Sequence, residues 1–144
     1  MSRRDDPHDE RSAFPDGPAS DPAAPGARQR IWGPQAEAIE RALRRADPDL
    51  ADLIVNVAYD DVFERPGLDL RTRELLAVAL LASLGAEREL PTHLRGALRC
   101  GASVTELRET LLQVAMFAGF PRALTAMRVL ARTVAELPDP PSGR

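Results

Sequence analysis

The stretch ELPTHLRGALRC, from Glu89 to Cys100, contains residue types that can move a proton. It holds His93, one of two histidines in the chain, and Cys100, the single cysteine. Residues four apart share a helix face, so Glu89 would lie beside the His93 imidazole, with Cys100 further along that face. We therefore interpret His93 as a candidate proton-transfer group with Glu89 as its orienting partner. The alternative is a packing histidine beside a solvated glutamate that favours the helix dipole.

A second candidate acid, Glu74, immediately precedes the apolar run LLAVALLASL. A carboxylate at the entrance of a buried helix loses hydration and becomes available for acid–base chemistry. The alternative is a surface glutamate paired with Arg71 or Arg73. Gly96 indicates either close contact between helices or room for a small ligand beside the imidazole. We interpret Cys100 as a small buried hydrophobic residue rather than as a nucleophile.

The composition excludes several classes of site. All 19 basic residues are arginine, and the absence of lysine excludes Schiff-base chemistry and lysine general bases. A single cysteine excludes an intrachain disulfide, a CxxC redox pair and a multi-cysteine zinc site. The net charge of -3 gives no reason to expect a nucleic-acid partner. The longest apolar run, Leu75 to Leu84, is about half of what a membrane span needs, and the N-terminus has no signal-peptide core. We expect a cytoplasmic protein with a small-molecule substrate and no membrane partner.

The hydrophobic pattern is helical. Hydrophobic residues make up 44% of the 144 residues and aromatic residues only 4%, so the core must be Leu, Ala and Val, which suits close-packed helices. The sequence predicts an all-α fold: a compact six-helix bundle at residues 30–137, a disordered N-terminal tail at 1–29 and a short C-terminal tail at 138–144. The six helices are predicted to begin at Pro34, Asp47, Asp69, Leu90, the capping box of Ser103 and Glu106, and Pro121.

Two of the predicted helices are too apolar for a lone bundle of this size to cover. These are the third and the fifth, and small residues surround the turn at Gly119 after the fifth. We therefore expect a homo-oligomer. The second predicted helix, which Pro66 terminates, has an apolar face expected to contact the core. The residues of that face are Leu50, Leu53, Ile54, Val57 and Ala58.

The span from Val62 to Leu137 resembles the carboxymuconolactone decarboxylase family, part of the alkyl hydroperoxidase D-like superfamily. The resemblance rests on RPGLDLRTREL, on EL-x-x-H from Glu89 to His93, on the turn at Gly101 with its capping box, and on LLQVAMFAGFP. It implies a compact all-α bundle that assembles into rings, commonly trimers or hexamers, with sites near subunit contacts.

The motif at His93 distinguishes two branches of that family. The alkyl hydroperoxidase D-like branch carries C-x-x-C-x-x-x-H, and its cysteines fall on Ala86 and Glu89 here, so both thiols are missing. The decarboxylase branch has a Glu four residues before its His, which matches Glu89 and His93 here. It also has an acid at the position of Glu74. The resemblance therefore implies the decarboxylase branch. One departure is Cys100, which stands where that branch usually has Asn and is a candidate substrate contact.

The implied reaction is cofactor-free decarboxylation of a small lactone dicarboxylate in aromatic catabolism. The unsaturated lactone carbonyl can accept the electron density, so no pyridoxal, thiamine or metal electron sink is required. The protein must hold the carboxylates, stabilise the dienolate oxygen and deliver one proton. His93 is the candidate proton donor or partner of the dienolate oxygen, with Glu89 orienting it and Glu74 as an alternative acid. The candidates for binding a substrate carboxylate are Arg71, Arg73 and Arg122.

Two other functions stay open from the sequence. The first is a peroxidase-like antioxidant protein that uses Cys100 alone, which an exposed thiolate of low pKa would favour. The second is a non-catalytic oligomeric member of the family, which a Leu- and Ala-lined cavity without His93 would favour.

Overall fold

Helix formers such as Leu, Ala and Arg dominate the chain and form helices throughout the part that the structure describes. The structure, a computed structural model, describes residues 23–138. All regular elements within that range are helical, which confirms the predicted all-α class. None of them is both long and apolar enough to cross a membrane. In chain order they are α1 (Ala27–Trp32), a 3-10 turn (Gly33–Gln35), α2 (Ala36–Ala46), α3 (Pro48–Asp52), a π-helix (Leu53–Val62), α4 (Leu70–Leu84), α5 (Leu90–Arg99), α6 (Val104–Ala118) and α7 (Phe120–Ala135).

The predicted start and stop signals operate as expected. Asp47 and Asp69 each accept a hydrogen bond from the backbone N–H three residues on, at 2.8 and 2.7 Å. Ser103 and Glu106 form the reciprocal capping box at the start of α6. Helix α4 ends at Gly85, whose φ of 74° lies in the left-handed region that glycine adopts without strain. These local signals set the boundaries of the helices that carry Glu74 and His93.

Helix α1 is additional to the six predicted helices. The predicted tail, residues 1–29, overlaps it, because α1 begins at Ala27. Ala27, Ile31 and Trp32 are buried, and the Ala27 N–H donates to the Glu64 carboxylate. Six residues are too few for a helix that is stable alone, so local pattern does not reveal α1 and tertiary packing must hold it. The remainder of the two predicted tails, residues 1–22 and 139–144, lies outside the described residues.

The predicted apolar face of the second helix is only partly confirmed: Ile54 and Ala58 pack against the core, but the other three residues do not. The helix continues from α3 into a π-helix, and the Phe63 N–H donates to the Ala58 carbonyl at 2.9 Å, five residues back. A π-helix rotates successive side chains less per residue than an α-helix, so the apolar face shifts. Leu53 and Val57, predicted to be core residues, are 59% and 48% exposed, and Leu50 is 52% exposed. The buried residues of this segment are instead Ala51, Val55 and Tyr59.

Two apolar clusters make up the interior of the described region. The larger one is formed by α4 to α7, with α4 packed against the three others. The smaller one joins α1 and the π-helix through Ile31, Trp32, Val55 and Tyr59. Helix α1 also packs against α5. Glu74 on α4 and His93 on α5 therefore lie where the two clusters meet.

Candidate active site

Glu74 and His93 form a buried pair that joins α4 to α5. The Glu74 side chain is 0% exposed and that of His93 is 17% exposed. His93 Nδ1 lies 3.2 Å from Glu74 Oε1 and 3.1 Å from Oε2. A buried carboxylate is costly unless a hydrogen-bond donor faces it, and an Nδ1–H of His93 is the donor that this geometry provides. Nε2 has no hydrogen-bond partner within residues 23–138, which leaves it available to a bound molecule.

Gly96 explains how a carboxylate fits into this interior. A Cβ at this position would lie 2.7 Å from Ile31 Cγ2 and would overlap Glu74 Oε2. The space beside Gly96 therefore belongs to the Glu74 carboxylate and to Ile31. This corrects the idea of room for a ligand at that point. The contact does join helices, because Ile31 lies on α1 and Glu74 on α4.

We expect Gly96→Ala to destabilise the protein and to lower any activity of His93. Alanine favours a helix over glycine by about 0.5–1 kcal/mol, but overpacking a close-packed core costs about 1–3 kcal/mol. The added methyl group would also push Glu74 away from its partner. Calorimetric melting measures the stability. Gly67→Ala is the matched control, since a Cβ there meets nothing within 4 Å. A Gly96→Ala protein that melts above the parent would contradict this packing.

The exposed side of His93 lines a cavity of about 600 Å³. Most of the wall is apolar and comes from α2, the π-helix and α4, while α1 supplies Trp32. A cavity of this size suits a small organic ligand, because such sites combine apolar walls with a few polar groups. The polar side chains that line it are Tyr59, Arg73, Arg88, Glu89, Thr92 and His93.

Only one of the three predicted carboxylate-binding arginines lines this cavity. Arg73 donates from Nε to the Leu68 carbonyl at 3.2 Å and from Nη2 to the Arg65 carbonyl at 2.8 Å. These bonds hold its guanidinium at the rim. Arg71 instead forms an ion pair with Glu106. Arg122 lies against Gly85, beside a separate cavity of about 40 Å³, so neither of those two reaches His93.

Glu89 and Cys100 do not take the places that their spacing predicted. Glu89 is exposed at the start of α5 and lines the cavity, but no hydrogen bond joins it to His93. Glu74 is the residue that contacts the ring, so the predicted orienting partner is corrected. Cys100 ends α5, is half-buried and lines a different depression beside Arg71. Burial raises the pKa of the Cys100 thiol, which disfavours a reactive thiolate.

Sequence reasoning did not anticipate the remaining polar residues of the cavity. Arg88 directly precedes the EL-x-x-H motif and Thr92 lies within it, and this position was the available signal. Trp32 and Tyr59 gave no such signal, because they reach the cavity from α1 and from the π-helix. Within the described residues, no group of three or more His, Cys, Asp or Glu side chains is arranged to hold a metal ion.

Comparison with known proteins identifies the family of this chain. Residues 48–132 match the model of the carboxymuconolactone decarboxylase family. The chain is 37% identical over 107 residues to nitrosuccinic acid decarboxylase of Metarhizium robertsii, covering 72% of this chain and 75% of that protein. It is 36% identical over 89 residues to 4-carboxymuconolactone decarboxylase of Acinetobacter baylyi, covering 62% of this chain and 66% of that protein. The chain belongs to the carboxymuconolactone decarboxylase family.

Proposed function

We propose that this protein is a cofactor-free decarboxylase of a small carboxylic acid whose own structure accepts the electron pair left by CO₂. The observation that carries the proposal is the buried Glu74 bonded to His93 Nδ1, which leaves Nε2 available at the cavity. Breaking the bond to the carboxylate sends its electron pair into an electron-withdrawing group of the substrate. The His93 imidazolium then donates its Nε2 proton to the substrate carbon, and the neutral ring is reprotonated from solvent.

The rest of the cavity suits such a substrate. Arg73 and Arg88 supply positive charge for a carboxylate, and the apolar wall excludes water from the reacting carbon. The names of the two relatives point to acids of this type. Nitrosuccinic acid carries a nitro group, and carboxymuconolactone carries a lactone carbonyl. Both groups delocalise an electron pair, so neither acid requires an added electron sink.

The test is CO₂ release from nitrosuccinic acid and from 4-carboxymuconolactone, measured with protein dialysed against a chelator. We expect turnover of at least one acid, with one deuterium from D₂O bonded to carbon in the product. Cys100→Ser is the control and should turn over like the parent, because Cys100 lies outside the cavity. Protein that releases no CO₂ from either acid would contradict the proposal, and loss of activity in Cys100→Ser would favour the thiol-dependent alternative.

We also propose that the protein works as a homo-oligomer, a trimer or a hexamer, as its resemblance to the family implies. The support is a patch at the junction of α6 and α7, where Met116, Phe117 and Phe120 are 65%, 84% and 71% exposed. Leu112 and Leu124 extend this patch. Contiguous apolar surface of this kind is uncommon on monomers.

We expect sedimentation at micromolar concentration to show a species of three or six chains. Phe117→Asp combined with Phe120→Asp should shift the protein towards monomer, because a desolvated carboxylate at an interface is costly. Arg41→Ala on α2, an exposed position, is the control and should leave the assembly unchanged. A monomeric parent would contradict the proposal.

A further inference from the structure

An aromatic wall closes one side of the cavity. The Trp32 and Tyr59 rings meet edge to face with centroids 4.5 Å apart, and Tyr59 stacks on Phe63 at 5.1 Å. All three line the cavity. The wall lies close to the acid–base pair, since Ile31, the neighbour of Trp32, packs beside the Glu74 carboxylate. Trp32 precedes residues 48–132, which match the family model, so this part of the cavity comes from outside the matched region.

The indole N–H of Trp32 is a buried donor without an acceptor. Trp32 is 1% exposed, and its Nε1 has no hydrogen-bond partner in the described structure. Buried tryptophan N–H groups usually find a partner, and an unsatisfied one calls for an explanation. An acceptor atom brought by a ligand is such an explanation, because Trp32 belongs to the cavity wall.

The neighbouring Tyr59 adds a second donor. Burial raises the pKa of Tyr59 to about 12, although Trp32 lowers it in part. The phenol therefore stays protonated at neutral pH. The Trp32 N–H lies near the Tyr59 hydroxyl and lowers the pKa of the phenol, yet the two groups form no hydrogen bond of acceptable geometry. Two uncharged donors therefore stand together in an otherwise apolar wall.

We propose that the Trp32 N–H and the Tyr59 hydroxyl bind the acceptor oxygen of the electron-withdrawing group of the substrate, a lactone carbonyl or a nitro group. The inference rests on the proposed function for its chemistry. When the carbon–carboxylate bond breaks, its electron pair moves into that group and negative charge develops on the oxygen. Uncharged donors that burial holds in place can stabilise this charge without having to reorient. CO₂ leaves, and His93 Nε2 donates its proton to a carbon of the delocalised anion that remains.

The test compares two stable acids that differ in a single oxygen. These are 5-oxotetrahydrofuran-2-carboxylic acid, a lactone, and tetrahydrofuran-2-carboxylic acid, which lacks the carbonyl. We expect calorimetry to show the lactone acid binding the parent about tenfold more tightly, the usual order for pairing a buried donor. Trp32→Phe combined with Tyr59→Phe should bring the two affinities together and leave the binding of the second acid unchanged. Phe63→Leu is the matched control, since it alters the wall without removing a donor, and should keep the preference.

The single tryptophan gives a second measurement that needs no variant of Trp32. The emission of Trp32 in the parent should shift with the lactone acid and stay unchanged with its carbonyl-free counterpart. Equal binding of the two acids, or a preference that survives in Tyr59→Phe with an identical emission shift for both, would overturn the inference. These measurements need no turnover. A carbonyl preference without CO₂ release would therefore contradict the proposed function alone, while CO₂ release without the preference would contradict only the role of Trp32 and Tyr59.

Discussion

His93→Asn should lose about 10²–10⁴-fold in the rate of decarboxylation, the usual worth of general acid–base catalysis, while keeping most of its stability. The asparagine amide nitrogen takes nearly the place of Nδ1, so it can still donate to the buried Glu74 carboxylate. It has no counterpart of Nε2 and carries no proton to transfer. Steady-state CO₂ release and calorimetric melting of the same preparation measure the two effects.

Two other replacements of His93 separate its roles. His93→Gln places its amide near Nε2 and leaves Glu74 without a donor, and His93→Leu removes both nitrogens. An uncompensated buried carboxylate costs about 3–5 kcal/mol, so we expect these two proteins to melt well below His93→Asn. All three should be equally inactive. If His93→Asn turns over like the parent, or if all three unfold alike, His93 is a packing residue.

Glu74→Gln should lower the rate by about 10²–10³-fold, because the neutral amide no longer stabilises the imidazolium that donates the proton. Stability should change little or rise, since the substitution removes a fully buried charge and keeps the shape of the side chain. An active protein with reduced stability would show that Glu74 is structural.

The double variant Glu74→Gln with His93→Asn checks whether the two residues act as one unit. Its rate should be no lower than that of His93→Asn alone, because Glu74 is expected to act only through the His93 ring. Glu89→Gln is the matched control among the carboxylates, since Glu89 makes no hydrogen bond to His93. A rate for Glu89→Gln as low as that for Glu74→Gln would restore Glu89 as the partner of His93.

Local chemistry was sufficient to predict much of the fold. The all-α class, the start of α5 at Leu90, the caps at Asp47 and Asp69 and the turn at Gly85 all depend on residues within a few positions of each other. Backbone preferences and short-range hydrogen bonds operate in the same way wherever a segment finally packs. The EL-x-x-H context that made His93 a candidate is likewise confined to five residues. These features could therefore be predicted from the sequence alone.

The site itself was decided by tertiary structure. Glu74 and His93 are 19 positions apart and meet only because α4 and α5 pack together, whereas helical spacing favoured the nearby Glu89. Gly96 on α5 leaves the space that the Glu74 carboxylate of α4 occupies. The π-helix moves Tyr59 to the cavity against the α-helical pattern, and the short α1, which brings Trp32, exists only through its packing. Periodicity shows which residues share a helix face. Which faces meet depends on how the whole chain packs, and that packing brings Glu74 and His93 together at the cavity.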